Sequence, residues 1–122
     1  MSAWSESLSM ELGPLGIQVT CVEPGFFRTD FLGGNSLQYV DAKLSEYEGG
    51  LKQVHEWLDG RHQVQEGDPK KLADALLDLA DRDKQPVHLL MGSDAVQRMR
   101  DRIVRDTAET EEWAPLSVST DF

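Results

Sequence analysis

The chain has a single cysteine, Cys21, in 122 residues. One thiol excludes an internal disulfide and a cysteine-rich zinc site, and it suits a reducing, cytoplasmic compartment. Basic residues are scarce: 12 Lys and Arg stand against 22 Asp and Glu, leaving a net charge of −10. Such a chain repels polyanions, so neither nucleic acid nor an anionic membrane surface is expected as a partner. No apolar run approaches the roughly 20 residues that cross a bilayer. Glu6 and Glu11 stand where a signal peptide carries Lys or Arg. Gly-x-Gly-x-x-Gly and Gly-x-x-x-x-Gly-Lys-Ser/Thr are both missing, and with them the two common phosphate-cradling loops. The histidines, His55, His62 and His88, lack His-Glu-x-x-His spacing, and no metal site is expected. No serine sits on a nucleophile elbow, so a Ser-His-Asp triad has no candidate.

What is present is ordinary globular material. Apolar residues make up 39% and charged residues 28%, and 13.7 kDa is the size of one domain.

Trp4, Leu8 and Leu12, at steps of four, predict a helix over 2–12 that Gly13-Pro14 stops. Gly13 and Gly16 flank the turn that follows, where positive φ is expected. Residues 17–23 are rich in β-branched side chains and predict a strand. Ile17, Val19 and Cys21 share one face while Gln18, Thr20 and Val22 share the other, so both faces should be covered, as in a parallel sheet. Pro24-Gly25 ends it.

From Leu37, apolar residues at 37, 40, 44, 47, 51, 54 and 58 trace a helical face. Gly49-Gly50 interrupts it, predicting two shorter helices or one kinked helix, and Gly33-Gly34 reads as a hinge. Asp68-Pro69 is a helix start, with an Asp cap and proline at the first helical position. Leu72, Ala75, Leu76 and Leu79 form its inward face. Residues 87–91 read as a second strand, ending at Gly92. Ser93 is expected to cap a last helix, with Val96, Met99 and Ile103 on one side. Residues 107–122 show little periodicity and read as a tail pinned by Trp113 and Phe122.

Two strands separated by helices imply an α/β fold with a right-handed crossover and a parallel sheet. Ligands of such sheets bind beyond the C-terminal ends of the strands, which here means residues 24–31 and the Gly92 turn. A tight turn there presents unpaired N–H groups to a polar ligand. Cys21 reads as a buried structural thiol and His88 as a packed core histidine. Arg98, Arg100, Arg102 and Arg105 interleave with Asp94, Asp101 and Asp106, as on a solvated, salt-bridged face.

The run Val22-Glu23-Pro24-Gly25-Phe26-Phe27-Arg28-Thr29, preceded by Gly16-Ile17-Gln18-Val19-Thr20, resembles the short-chain dehydrogenase/reductase family. Trp4-Ser5-Glu6-Ser7-Leu8 resembles the second half of that family's long helix. Gly67-Asp68-Pro69-Lys70-Lys71-Leu72-Ala73 resembles the opening of its next helix, and residues 86–92 resemble its last strand. The resemblance covers nearly the whole chain, in order.

It implies the C-terminal portion of a Rossmann-type doubly wound parallel sheet. Residues 1–122 would be one partial domain, with a helical substrate lid over 32–66 and a tail over 107–122. It also implies NAD or NADP as cofactor. Pro24 and Gly25 would turn the backbone toward the nicotinamide, and the backbone of Phe26 and Phe27 would hydrogen-bond the carboxamide. Thr29 would touch the carboxamide or the phosphates. The substrate would be a small carbonyl or alcohol.

The family's Tyr-x-x-x-Lys, its catalytic serine and its glycine-rich turn all precede the matched region. No catalytic residue is therefore assigned, and the chain is expected to be inactive alone. Tyr39-Val40-Asp41-Ala42-Lys43 has the Tyr-x-x-x-Lys spacing but follows the Pro-Gly strand instead of preceding it. Tyr39 is read as a substrate-side or packing residue. A homo-oligomer, or self-association through the edge of the strand at 17–23, is expected. The alternative is a non-catalytic, truncated paralogue acting as an interaction partner, or a gene remnant.

Overall fold

Among the described residues, two strands of four residues each carry the sheet. The computed structural model describes residues 2–33, 36–39 and 44–122. Helix α1, Ser2–Leu12, occupies the range that its apolar spacing predicts. Its one buried residue is Ser5, and Trp4 remains 65% exposed. A 3-10 turn, Gly13–Leu15, closes on Gly16, whose φ of 76° is left-handed and requires glycine. Gly13 lacks that conformation; among the described residues the other glycine at positive φ is Gly92, at 100°.

Strand β1, Cys21–Pro24, pairs in parallel with β2, His88–Met91, placing Cys21 opposite His88 and Pro24 opposite Met91. The strand is shorter than the expected 17–23, because its partner is extended only from His88; the first ladder bond runs from Cys21 N to Val87 O at 2.7 Å. Side chains take over: Thr20 Oγ1 donates to Pro86 O at 2.7 Å. Gln18 Nε2 donates to Asp83 O at 3.0 Å, and Gln18 Oε1 accepts from Gln85 N at 2.7 Å. The expected covering of both faces is not found either. Cys21, Val22 and Glu23 are only half-buried, because β2 is the one strand paired with β1 among the described residues.

Helix α2, Ser45–Asp59, runs unbroken through Gly49 and Gly50. Two glycines weaken an exposed helix by propensity alone, and nothing lies within 4 Å of the place a Cβ would take at either. The break expected there is absent, and residues 37–39 are not helical. Gly34, Val40 and Lys43, which belong to the expected hinge, stripe and Tyr-x-x-x-Lys match, lie outside the described residues.

Helix α3, Pro69–Ala80, begins as its sequence predicts: Asp68 Oδ1 accepts from Lys70 N at 2.8 Å and Lys71 N at 3.4 Å. Leu72, Ala75, Leu76 and Leu79 form its half-buried face.

Helix α4, Ser93–Val118, corrects two expectations. Gly92 occupies the cap position, and the Ser93 hydroxyl is instead turned to Glu66, at 3.4 Å. The supposed tail at 107–122 is helical as far as Val118, with Pro115 inside it. Proline removes one N–H near the end of a helix, while the Thr110 and Ser117 hydroxyls bond the carbonyls four residues back, Asp106 O and Trp113 O. Trp113 and Phe122, expected to pin the tail, are both exposed, Trp113 by 57%. A solvated helix has no apolar period to read.

Leu32, at 7% exposure, is the one buried apolar residue among those described. The accessible surface is 10073 Å², against about 6,600 Å² for a self-contained monomer of this mass. Among the described residues no helix is long and apolar enough to cross a membrane.

Candidate functional site

The loop after β1 is fastened from two directions. Gly25 N donates to Met91 O at 2.8 Å, carrying the β1–β2 register past Pro24. Phe26 N donates to Asp94 Oδ2 at 2.9 Å, from the first turn of α4. The segment leading into α3 then joins: Gly67 N donates to Phe26 O at 3.1 Å and Arg28 N donates to Gly67 O at 2.8 Å. Together these make a parallel bridge between Phe27 and Gly67. Arg28 adds Nε and Nη2 bonds to Gln65 O at 3.2 and 3.0 Å.

Two glycines make this closeness possible. A side chain at Gly25 would fall inside the Asp94 carboxylate, and one at Gly67 would lie 2.7 Å from Phe26 O and from Phe27 Cδ1.

In a parallel bridge the residue flanked by both hydrogen bonds turns its own N–H and C=O to the opposite side. Phe27 is that residue. Phe26 N–H and C=O are occupied, whereas the Phe27 peptide groups have no hydrogen-bond partner among the described residues. A donor and an acceptor are thereby presented together at the C-terminal end of β1.

Thr29 stands nearby but is exposed, and its hydroxyl accepts from Phe31 N at 3.3 Å, capping the 3-10 turn Asp30–Leu32. Pro24 thus closes β1, Gly25, Phe26 and Phe27 share the loop that follows, and Thr29 has a local partner of its own.

Aromatic and cationic groups surround the Phe26 ring. Trp57 of α2 meets it edge-on, with centroids 5.5 Å apart at 72°. The Arg61 guanidinium lies 4.2 Å from the Trp57 ring and 5.3 Å from Phe26, and Arg98 lies 5.3 Å from Phe26. A cavity of about 300 Å³ is bounded by Phe26, Arg61, Val64, Gln65, Glu66 and Asp94. Asp94, Gly67 and Gln65 carried no functional signal in the sequence, because each acts through a partner at least 37 positions away.

Tyr39 is held elsewhere. Its hydroxyl donates to Asp59 Oδ1 at 2.7 Å and its ring stacks on His55 at 3.8 Å. Burial first, then the Asp59 carboxylate, raise its pKa above the ordinary phenol value. A phenol already donating to a carboxylate is poorly placed to protonate a substrate.

His88 is not the packed core histidine its strand suggests. It is half-buried between two carboxylates, Nδ1 lying 3.0 Å from Glu23 Oε1 and Nε2 lying 3.0 Å from Glu6 Oε1. The hydrogen bond with Glu23 raises the histidine's pKa, opposed by burial and assisted by Glu6. Glu23 is held below the usual carboxylate value by His88 first, then by the Ser2 hydroxyl, and also by the Cys21 thiol.

No family model matches the chain. Over 98% of its length it is 29% identical to an oxidoreductase of Botryotinia fuckeliana, covering 43% of that protein. Over 66% of its length it is 30% identical to an uncharacterized oxidoreductase of Bacillus subtilis, covering 29% of that one. The crystal structure of a short-chain dehydrogenase from Streptomyces avermitilis superposes with a TM-score of 0.75 at 36% identity, over 99% of this chain and 43% of that one. The chain therefore spans less than half the length of these relatives. Its two parallel strands and flanking helices match a portion of that dehydrogenase's fold.

Proposed function

We propose that this chain, which has the sequence and fold of part of a short-chain dehydrogenase/reductase, supplies the nicotinamide-facing wall and the substrate lid of an NAD- or NADP-dependent oxidoreductase. Its substrate would be a small carbonyl or alcohol. The observation that carries this reading is the Phe27 peptide. A carboxamide offers one carbonyl acceptor and two N–H donors, and the N–H and C=O of Phe27, without partners among the described residues, match that pattern at the end of the sheet where such ligands bind.

Pro24 and Gly25 make the turn, Asp94 and Gly67 hold the loop, and Thr29 adds a hydroxyl at its far end. When bound, the nicotinamide supplies the hydride chemistry. This chain's residues bind and orient it, and exclude water from it. Trp57 touches Phe26, which ties α2 to the loop and supports a lid role for residues 32–66. The lone thiol supports a reducing, cytoplasmic setting.

A second reading is that the chain is a non-catalytic interaction partner. The large exposed surface favours it, at about 3,500 Å² beyond that of a self-contained monomer.

Both readings predict that the isolated chain turns over neither cofactor, since general acid catalysis alone is commonly worth about 10²–10⁴-fold. They separate when the chain is mixed with a separately expressed N-terminal half of a close relative. Restored carbonyl reduction supports the first reading. In that assembly Phe27→Pro, which removes the N–H, should raise the cofactor KM at least tenfold, while Phe27→Ala leaves it within twofold. Assembly without turnover supports the second. Turnover by the isolated chain that Tyr39→Phe abolishes would overturn both.

A further inference from the structure

Cys21 and His88 stand opposite one another across the parallel pair, and Glu23 lies two residues beyond Cys21 on the same face. One ligand atom from each of these three side chains lies within 4.8 Å of the others. Thiolate, imidazole and carboxylate are the groups that bind zinc, at about 2.3, 2.0–2.1 and 2.0–2.2 Å. A tetrahedron with those bonds has edges of about 3.3–3.6 Å. The Nδ1 to Oε1 separation between His88 and Glu23 is 3.0 Å, so that edge needs to open by only about 0.3 Å.

The outer shell is also in place. A metal-bound histidine commonly donates its second ring N–H to a carboxylate, which sets the tautomer and turns the other nitrogen's lone pair to the metal. Glu6 Oε1, at 3.0 Å from Nε2, is that carboxylate, reaching across from α1. The Ser2 hydroxyl donates to Glu23 Oε1 at 3.0 Å and steadies the second ligand. A cavity of about 530 Å³ opens along Glu6, Glu23 and His88 and leaves room for water as a fourth ligand. The chain's net charge of −10 favours a cation.

We propose that Cys21, Glu23 and His88 form a divalent transition-metal site, with zinc as the fitting ion, Glu6 orienting His88 and water completing the tetrahedron. Magnesium and calcium prefer all-oxygen sites and fit this donor set poorly. Binding releases the Cys21 thiol proton to solvent and requires Nδ1 to be unprotonated, with its lone pair on the metal. The composition concealed the site, because the ligands come from two strands 65 positions apart. It uses no part of the 25–29 loop, so it stands or falls apart from the nicotinamide reading.

The test is titration of the reduced, chelator-treated full chain with Co²⁺, followed by displacement with Zn²⁺. A thiolate-to-cobalt charge-transfer band should appear, saturate at one metal per chain and vanish on adding Zn²⁺. Cys21 is the only cysteine, so the band reports that ligand directly. It should be lost in Cys21→Ser, and Glu6→Gln should keep it while binding about ten- to a hundredfold more weakly. If Cys21→Ser fails to fold, alkylation of Cys21 in the folded chain should remove the band in its place. A folded wild-type chain with no band, a band that survives loss of the thiol, or saturation at half a metal per chain would each overturn the assignment.

Discussion

Asp94 accepts the backbone N–H of Phe26 at 2.9 Å, so the first turn of α4 grips the loop that follows β1. The space it fills is the space a side chain at Gly25 would need. Two residues 69 positions apart thus share one small volume. Gly25 keeps it empty and Asp94 fills it.

The first prediction is a double-mutant cycle on that pair. Asp94→Ala leaves a partly buried N–H unsatisfied and should cost about 1–3 kcal/mol. Gly25→Ala expels the Asp94 carboxylate and should cost at least as much. In the double variant the clash has no counterpart, so the combined loss should fall clearly below the sum of the singles. Denaturant melts of the four proteins measure this, and additive losses would mean that the two contacts are independent.

Asp68 offers a cleaner local test. Its carboxylate holds both Lys70 N and Lys71 N at the start of α3. Asp68→Ala should destabilise the fold by about 0.5–2 kcal/mol, while Asp68→Ser and Asp68→Asn recover most of the loss. Equal losses in all three variants would show that the side chain acts in some other way.

Helix α2 should be the softer of the two helices that flank the loop. Nearly all its residues are exposed, and Gly49 and Gly50 weaken its middle. Hydrogen exchange over Ser45–Asp59 should be faster than over Pro69–Ala80. Replacing both glycines by alanine should slow exchange in α2, each adding about 0.5–1 kcal/mol of helix stability, and leave α3 unchanged. Equal rates in the unmodified chain would remove the basis for a mobile lid.

What could be read from the residues was what neighbours in sequence decide. Asp68-Pro69 starts a helix wherever it stands, because cap and proline act within one turn. Pro24-Gly25 ends a strand for the same kind of reason. The spacing of Leu72, Ala75, Leu76 and Leu79 places a face without any knowledge of what covers it. Distant partners decided the rest. Strand β1 begins only at Cys21 because its partner, on the other side of the crossover, begins at His88. His88 is clamped because the register sets it beside Glu23 and because α1 brings Glu6. Residues 107–118 hid their helix by lacking an apolar stripe. The loop itself was legible at 24–29, but Asp94 and Gly67, which hold it, were not. A hydrogen bond across tens of residues leaves no periodicity behind.

The last prediction concerns the surface left open. Strand β1 has one partner among the described residues, and Ile17, just before it, is 49% exposed. No lysine or proline blunts the stretch at 17–22, the usual protection of a free edge. The accessible area of 10073 Å² exceeds that of a self-contained monomer by about 3,500 Å². A standard protein interface removes about 1,600 Å² in total, so even a second copy of this chain docked in the usual way leaves much of the excess uncovered. A partner that extends the sheet and packs on α1 covers more. In the relatives, the remaining length of chain is there to do so, since this sequence spans 43% of two of them. The isolated chain should therefore melt with low cooperativity and associate in a concentration-dependent way. Adding the N-terminal half of a close relative should raise its Tm by several degrees and convert it to one defined species by light scattering. A sharp, concentration-independent melt of a monodisperse monomer that such a partner leaves unchanged would mean that the open edge is stable as it stands.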